Sequence, residues 1–119
     1  MTDRELLELA ARAADYFITD GSQGYRTFRC KGGVEWNPLE DDGDALRLAV
    51  KLQLTVCNEH LSAGVAYCTR SIPGNGIDED AFPEVRSGTN ESELIPEDYA
   101  ATRRAIVLAA AEIARVQAQ

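Results

Sequence analysis

A chain of 119 residues that is 45% hydrophobic and 27% charged has the size and composition of one globular domain, so we expect a single domain over residues 1–119. It has no apolar stretch long enough for a membrane-spanning helix, and its acidic, amphipathic first residues differ from a secretory signal peptide, which favours a cytoplasmic location. The net charge of −8 argues against direct binding of nucleic acid, because phosphate recognition needs a basic surface.

The first predicted element is a helix that follows Thr2, because Thr2 and Glu5 have the spacing of a capping box. Apolar residues then recur at three- and four-residue steps, so the helix is expected to end near residues 15–17. A glycine-containing turn at 20–24 leads to a predicted strand at 25–30, and a second turn at 31–33 leads to a short strand at 34–36.

A loop at 37–44 is predicted to start the second helix, with Asp44 as its N-cap and residues 45–52 as its body. The apolar residues of this helix by spacing are Leu46, Ala49 and Val50. Residues 54–57 and 65–69 then read as two strands of an antiparallel hairpin, joined by a turn at 58–64.

A 26-residue segment at 71–96 has no helical or strand period and holds three of the four prolines, so it is predicted to be a long acidic loop. The last helix starts at residues 96–98 and runs to 117, with the strongest apolar stripe in the chain. The predicted order is α-β-β-α-β-β-α, which indicates an α+β fold with an antiparallel sheet of about four strands layered with three helices. The predicted core contains Leu9, Ala13, Leu46, Val50, Val56, Ile106 and Ile113.

Two segments concentrate the negative charge of the chain. Residues 35–44 contain five acids and no base, and residues 71–98 contain eight acids and one base. Such one-signed segments either dock on a basic partner, imitating nucleic-acid phosphate, or are ordinary solvated surface. We predict a partner-binding surface that is formed by Trp36, Glu40, Asp41, Asp42, Asp78, Glu79, Asp80 and Glu84.

Several of these residues have a simpler alternative role. Trp36 is either a stacking platform at the surface or, as is usual for tryptophan, part of the core. The acids at 41–44 suit the start of a helix, and they lack the twelve-residue ligand spacing of a calcium-binding EF-hand because position 52 is leucine. We therefore predict no metal site and no cofactor.

The chain carries no recognisable catalytic motif. It has no G-x-S-x-G elbow, no phosphate-binding loop and no dinucleotide fingerprint, and its one histidine, His60, has no nearby residue that suggests a nucleophile. Cys30, Cys57 and Cys68 form no C-x-x-C pair, and we predict three free thiols, with a Cys57–Cys68 disulfide as the alternative. We predict that the protein is not an enzyme.

Three segments resemble a family of small phage and prophage proteins, the phage ABA sandwich domain. They are the opening MTDRELLELAARAA, the segment WNPLEDDGDALRLAVKL at 36–52, and YAATRRAIV at 99–107. The resemblance covers about half the chain, in the order of the family, and it implies sheet and helices in layers. It supplies no catalytic residues, and this chain departs from it at 71–93, which is longer and more acidic than the resemblance implies.

The resemblance and the charge pattern together indicate a non-enzymatic phage accessory protein in the bacterial host cytoplasm. The leading hypothesis is an anti-CRISPR-like, anti-defence inhibitor that binds a host protein with a basic surface. A second hypothesis is a protein that sequesters a small molecule or nucleotide, with phosphate held by the Arg26, Arg29 and Lys31 group or by Arg103 and Arg104. A structural phage component is the third.

Overall fold

Three helices and an antiparallel sheet make up the part of the chain that the computed structural model describes, which confirms the predicted α+β class. The described residues are 1–16, 28–29, 35–71, 79–87 and 93–117, with Phe28, Arg29 and Glu79 as backbone alone. The elements in chain order are α1 (Asp3–Ala13), β1 (Phe28–Arg29), β2 (Glu35–Trp36), α2 (Asp42–Lys51), β3 (Thr55–Glu59), β4 (Val65–Ser71), β5 (Glu79–Ala81), β6 (Val85–Arg86) and α3 (Pro96–Gln117).

The main sheet is built around β4. The predicted hairpin is present as β3 and β4, which pair antiparallel from Thr55 opposite Thr69 to Glu59 opposite Val65. The other edge of β4 is occupied at its two ends by β5 and β6, both antiparallel to it. β1 and β2 form a separate two-stranded ladder.

The segment 71–96 was predicted as a long acidic loop, and its described part contains two short strands that the prediction lacked. β5 and β6 lie within it, and α3 starts at Pro96, the last residue of that range. β4 is long enough to leave backbone groups open on its second edge, and short strands satisfy them. Strands of three and two residues are too short to show a period in the sequence, which is why they were missed.

Helix α1 confirms the predicted capping box, in which the Thr2 hydroxyl accepts from the Glu5 amide and the Glu5 carboxylate accepts from the Thr2 amide. The helix ends at Ala13, two residues earlier than expected. Asp15 has a φ of 59°, and the amides of Asp15 and Tyr16 donate to the carbonyls of Arg12 and Ala11. These two bonds form a Schellman motif, which closes the helix.

Helix α2 differs from its prediction in start and in buried face. Its N-cap is Asp41, whose carboxylate accepts from the Asp44 amide at 2.8 Å, so Asp44 is not the cap. The Asp44 carboxylate instead accepts from the Asn37 amide at 2.9 Å and from Arg47 at 2.8 Å. Leu46 and Val50 are 64% and 68% exposed. The buried face consists of Asp44, Ala45, Leu48, Ala49 and Leu52.

Helix α3 is the centre of the core because it contacts α1 and α2 as well as β3, β4 and β6. A helix with partners on several sides is buried over most of its circumference, which agrees with its many small residues. Its buried apolar residues are Ala101, Ala105, Ile106, Val107, Ala109, Ala110, Ala111, Ile113 and Ala114. Pro96 is its first residue, as predicted.

The predicted core list is correct only in part. Ile106 and Ile113 are buried, and Leu9, Ala13 and Val56 are partly buried against the core. Leu46 and Val50 were placed in the core wrongly, because they lie on the exposed side of α2.

Candidate functional site

An apolar pocket opens between α2, β3 and the first half of α3, and we call it the α2–α3 pocket. Its volume is about 400 Å³, within the usual range of small-ligand sites. Small residues on α2, Ala45 and Ala49, leave the space that a larger side chain would fill. The apolar walls are formed by Ala45, Leu46, Ala49, Val56, Leu94 and Ile106.

A hydrogen-bonded group around His60 forms one wall of this pocket. His60 is 6% exposed; its Nδ1 contacts the Ser87 hydroxyl, and its Nε2 lies 2.8 Å from the Thr102 hydroxyl. The Thr102 hydroxyl donates to Asn58 Oδ1 at 2.6 Å. Since a threonine has one hydroxyl proton and Thr102 donates it to Asn58, Nε2 of His60 is the donor to Thr102.

Asp98 also lines the pocket and is 1% exposed. It is the third residue of α3, and its Oδ2 accepts from the Ile95 amide at 2.9 Å, which caps the helix. Its other oxygen, Oδ1, lies 3.8 Å from His60 Nδ1 and has no hydrogen-bond partner among the described residues. A buried acceptor without a partner is rare in folded proteins and costs free energy.

Arg103 and Asp42 close another side of the pocket. The Arg103 guanidinium donates to the Leu39 carbonyl at 2.9 Å and to Asp42 Oδ1 at 2.7 Å. The next residue of α3, Arg104, donates a hydrogen bond to Asp3 Oδ1 at 3.0 Å. Both arginines therefore join α3 to other elements, and Asp42 balances the charge of Arg103 inside the pocket lining.

The predicted partner-binding residues that the structure describes differ in exposure and in their contacts. Trp36 is buried at 4% exposure and packs edge-to-face on Tyr16, so its core alternative is the one that the structure supports. Asp41 caps α2 and Asp42 pairs with Arg103, although both are exposed. Glu40 is exposed and lines a second cavity, of about 590 Å³, beside α1.

The acids of the second segment lie elsewhere on the molecule. Asp80 and Glu84 are exposed, the side chain of Glu79 is not described, and Asp78 is outside the described residues. Asp80 lines a cavity together with Ile113, in the last turns of α3, whereas Asp42 forms an ion pair with Arg103, in the first half of α3. Arg103 and Ile113 are ten residues apart, about 15 Å along α3, so Asp42 and Asp80 lie beside different parts of this helix.

Sequence reasoning missed the polar group of the pocket. His60 contacts Ser87 and Thr102, which are 27 and 42 residues away along the chain, and only the tertiary fold brings them together. One signal was readable: Asp98, Thr102 and Ile106 follow each other at four-residue steps on α3, so two polar residues extend a buried apolar stripe.

Cys57 and Cys68 are free thiols, as predicted, and Cys30 is outside the described residues. Cys57 is paired with Tyr67 in the sheet register, so Cys57 and Cys68 face opposite sides of the sheet and cannot form a disulfide. Burial raises the pKa of Cys68 to about 12. Hydrogen bonds to Cys57 and Glu59 raise the pKa of Tyr67, on the other face, to about 12.

The described part of the chain lacks two further features. No described helix is long and apolar enough to cross a membrane. No cluster of three or more histidine, cysteine, aspartate or glutamate side chains is placed to hold a metal ion in the same residues.

Comparison of the chain with known protein families, with curated proteins and with solved structures found no match. The resemblance to the phage ABA sandwich domain therefore stays a prediction.

Proposed function

We propose that the protein binds a small organic molecule in the α2–α3 pocket. The observation that carries this proposal is an apolar cavity of about 400 Å³ with a few buried polar groups in its wall, since most ligand sites combine these two features. Leu46, Leu94 and Tyr99 line the pocket and are all largely exposed. Apolar side chains that remain in water beside a cavity gain free energy when a ligand covers them.

The charges of the pocket favour a ligand without phosphate. Arg103 is held by Leu39 and Asp42, and Arg104 by Asp3, so neither guanidinium points to an open anion site. The second hypothesis from the sequence, sequestration of a small molecule, is supported in its general form, whereas the paired Arg103 and Arg104 do not favour a phosphate site in this pocket. The Arg26, Arg29 and Lys31 group lies outside the described side chains.

A titration with uncharged probes, followed by amide chemical shifts, tests the proposal. We expect indole and 2-phenylethanol to shift the amides of Ala45, Ala49, Val56, Thr102 and Ile106 and to leave β5 and β6 unchanged. Leu46→Ala removes an apolar wall and should weaken binding roughly three- to tenfold.

Val50→Ala is the matched control for this titration. Val50 is as exposed as Leu46 on the same helix but does not line the pocket, so its loss should change affinity by about twofold at most. Shifts scattered over the whole surface, or equal effects of the two variants, would contradict binding in the pocket.

As a second candidate, we propose a phage accessory protein of the host cytoplasm that docks on a basic host protein, such as a component of an antiviral defence. The exposed Asp80 and Glu84, on either side of the buried Phe82, support it. Replacing them with Asn and Gln should weaken capture of that host protein and reduce its salt dependence, because exposed charges act mainly by steering association. Capture that is equally strong and equally sensitive to salt in the variant would rule this surface out.

A further inference from the structure

Asp98 is the feature of the α2–α3 pocket that capping alone does not explain. Its Oδ2 completes the cap of α3 through the Ile95 amide, but its Oδ1 is buried without a hydrogen-bond partner among the described residues. Buried acceptors of this kind are usually satisfied by a donor. Asp98 lines the pocket, so a donor carried by a ligand is the group that the geometry can supply.

We propose that the ligand of the α2–α3 pocket is an organic amine, with a protonated amino group directed to Asp98 and an apolar body between α2 and α3. This inference rests on the proposed binding function and specifies its ligand class. A protonated amine supplies both a donor and a positive charge, and a charge-assisted hydrogen bond is stronger than a neutral one.

Of the two acids in the pocket lining, Asp98 is the one without an arginine partner among the described residues. Asp42 and Arg103 form an ion pair at 2.7 Å, and their charges cancel within the lining. His60 Nδ1 lies 3.8 Å from Asp98 Oδ1, which is beyond hydrogen-bond distance. Asp98 is the other acid of the lining, and the whole chain carries −8, so an anionic ligand is repelled.

The neighbours of Asp98 suit a cation as well. Tyr99 is largely exposed and lines the pocket, and an aromatic ring face attracts ammonium groups. Asp98 Oδ1 is shielded from solvent, so direct contact with a ligand requires a rotation of the Asp98 side chain. Without that rotation, the carboxylate still attracts a protonated amine in the pocket, because the protein around Asp98 screens charge less than water does.

Three probes of nearly equal size test the ligand class: 2-phenylethylamine, 2-phenylethanol and phenylacetate, titrated by calorimetry and amide chemical shifts near pH 7. We expect the amine to bind about tenfold tighter than the alcohol or more, because hydrogen bonds to charged groups exceed neutral ones by that order. Phenylacetate should bind weakest.

Asp98→Asn keeps the shape of the side chain and an oxygen for the Ile95 amide but removes the charge. The preference for amine over alcohol should then fall to about twofold or less. Asp42→Asn removes the other acid of the lining and is the matched control, and it should retain the preference. Loss of the preference in both variants would overturn the assignment to Asp98.

The outcomes separate this inference from the proposal on which it rests. If no probe shifts the pocket amides, the binding function itself fails. If the alcohol or phenylacetate binds as tightly as the amine, the pocket binds ligands but the amine class is wrong. Should Asp98→Asn fail to fold, the ranking of the three probes on the parent protein decides alone.

Discussion

Replacing Gln53 by glycine should stabilise the protein, because Gln53 has a φ of 57°. It follows α2 and closes it with a Schellman motif, in which the Gln53 amide donates to Val50 at 3.1 Å and the Leu54 amide to Ala49 at 2.9 Å. A residue with a Cβ atom loses about 1–2 kcal/mol in this left-handed conformation, whereas glycine adopts it without strain.

The magnitude follows from two opposing effects. Glycine removes the strain of about 1–2 kcal/mol but gives the unfolded chain more freedom, which costs about 0.4–1 kcal/mol. The expected net gain in unfolding free energy is therefore about 0.5–1 kcal/mol, measured by urea denaturation, with a rise in Tm of roughly 2–5 °C.

Gln53→Ala is the control for this prediction. Gln53 is exposed, so its side chain contributes little packing, and alanine retains the strained Cβ atom. Gln53→Ala should therefore change stability by less than about 0.5 kcal/mol. Equal stabilities of the glycine and alanine variants would refute the reasoning and would place the start of β3, and with it one wall of the α2–α3 pocket, in doubt.

Three further predictions concern the core, the thiols and the arginine of the pocket. Ile106→Ala should lower the unfolding free energy by about 2–5 kcal/mol in a denaturant melt, and a loss within error would contradict the burial of α3. Cys68 should react with iodoacetamide at pH 8 roughly a thousandfold more slowly in the folded than in the urea-unfolded protein, because its raised pKa keeps it protonated. Because the unfolded thiol has the lower pKa, it ionises first as the pH rises from 9 towards 12, and the contribution of Cys68 to stability should fall over this range. Equal labelling of the folded and the unfolded protein would refute the raised pKa. Arg103→Lys keeps the charge but cannot hold both Leu39 and Asp42 with one planar group, so a loss of about 1–2 kcal/mol is expected, and an unchanged melt would show that these bonds add nothing.

The parts of the fold that were predicted correctly depend on local signals. The capping box at Thr2 and Glu5, the start of α3 at Pro96, and the β3–β4 hairpin are each determined within a few residues of sequence. Such signals act through neighbouring backbone groups, so they depend little on how the rest of the chain folds.

The orientation of α2 shows why the remainder was not predictable. Two sets of apolar residues have helical spacing: Leu46, Ala49 and Val50 form one, and Ala45, Leu48, Ala49 and Leu52 form the other. The choice between them depends on where α3 lies, because α2 packs on α3. A helix with two nearly equivalent stripes has no intrinsic preference, and the tertiary contact decides.

The same distinction separates the conspicuous acids from the candidate site. The run at Asp41, Asp42 and Asp44 attracts notice in the sequence, yet each member has a structural partner: the Asp44 amide, Arg103, and the Asn37 amide. Asp98, by contrast, lies at a helix start that nothing in the sequence marks as unusual. One of its carboxylate oxygens has no hydrogen-bond partner in the described structure. An acceptor atom that the fold pairs adds stability, whereas a buried acceptor atom without a partner lowers it. The buried, unpaired oxygen of Asp98 therefore points to function more directly than the larger acidic surface does, and it makes the α2–α3 pocket the first place to look for a ligand.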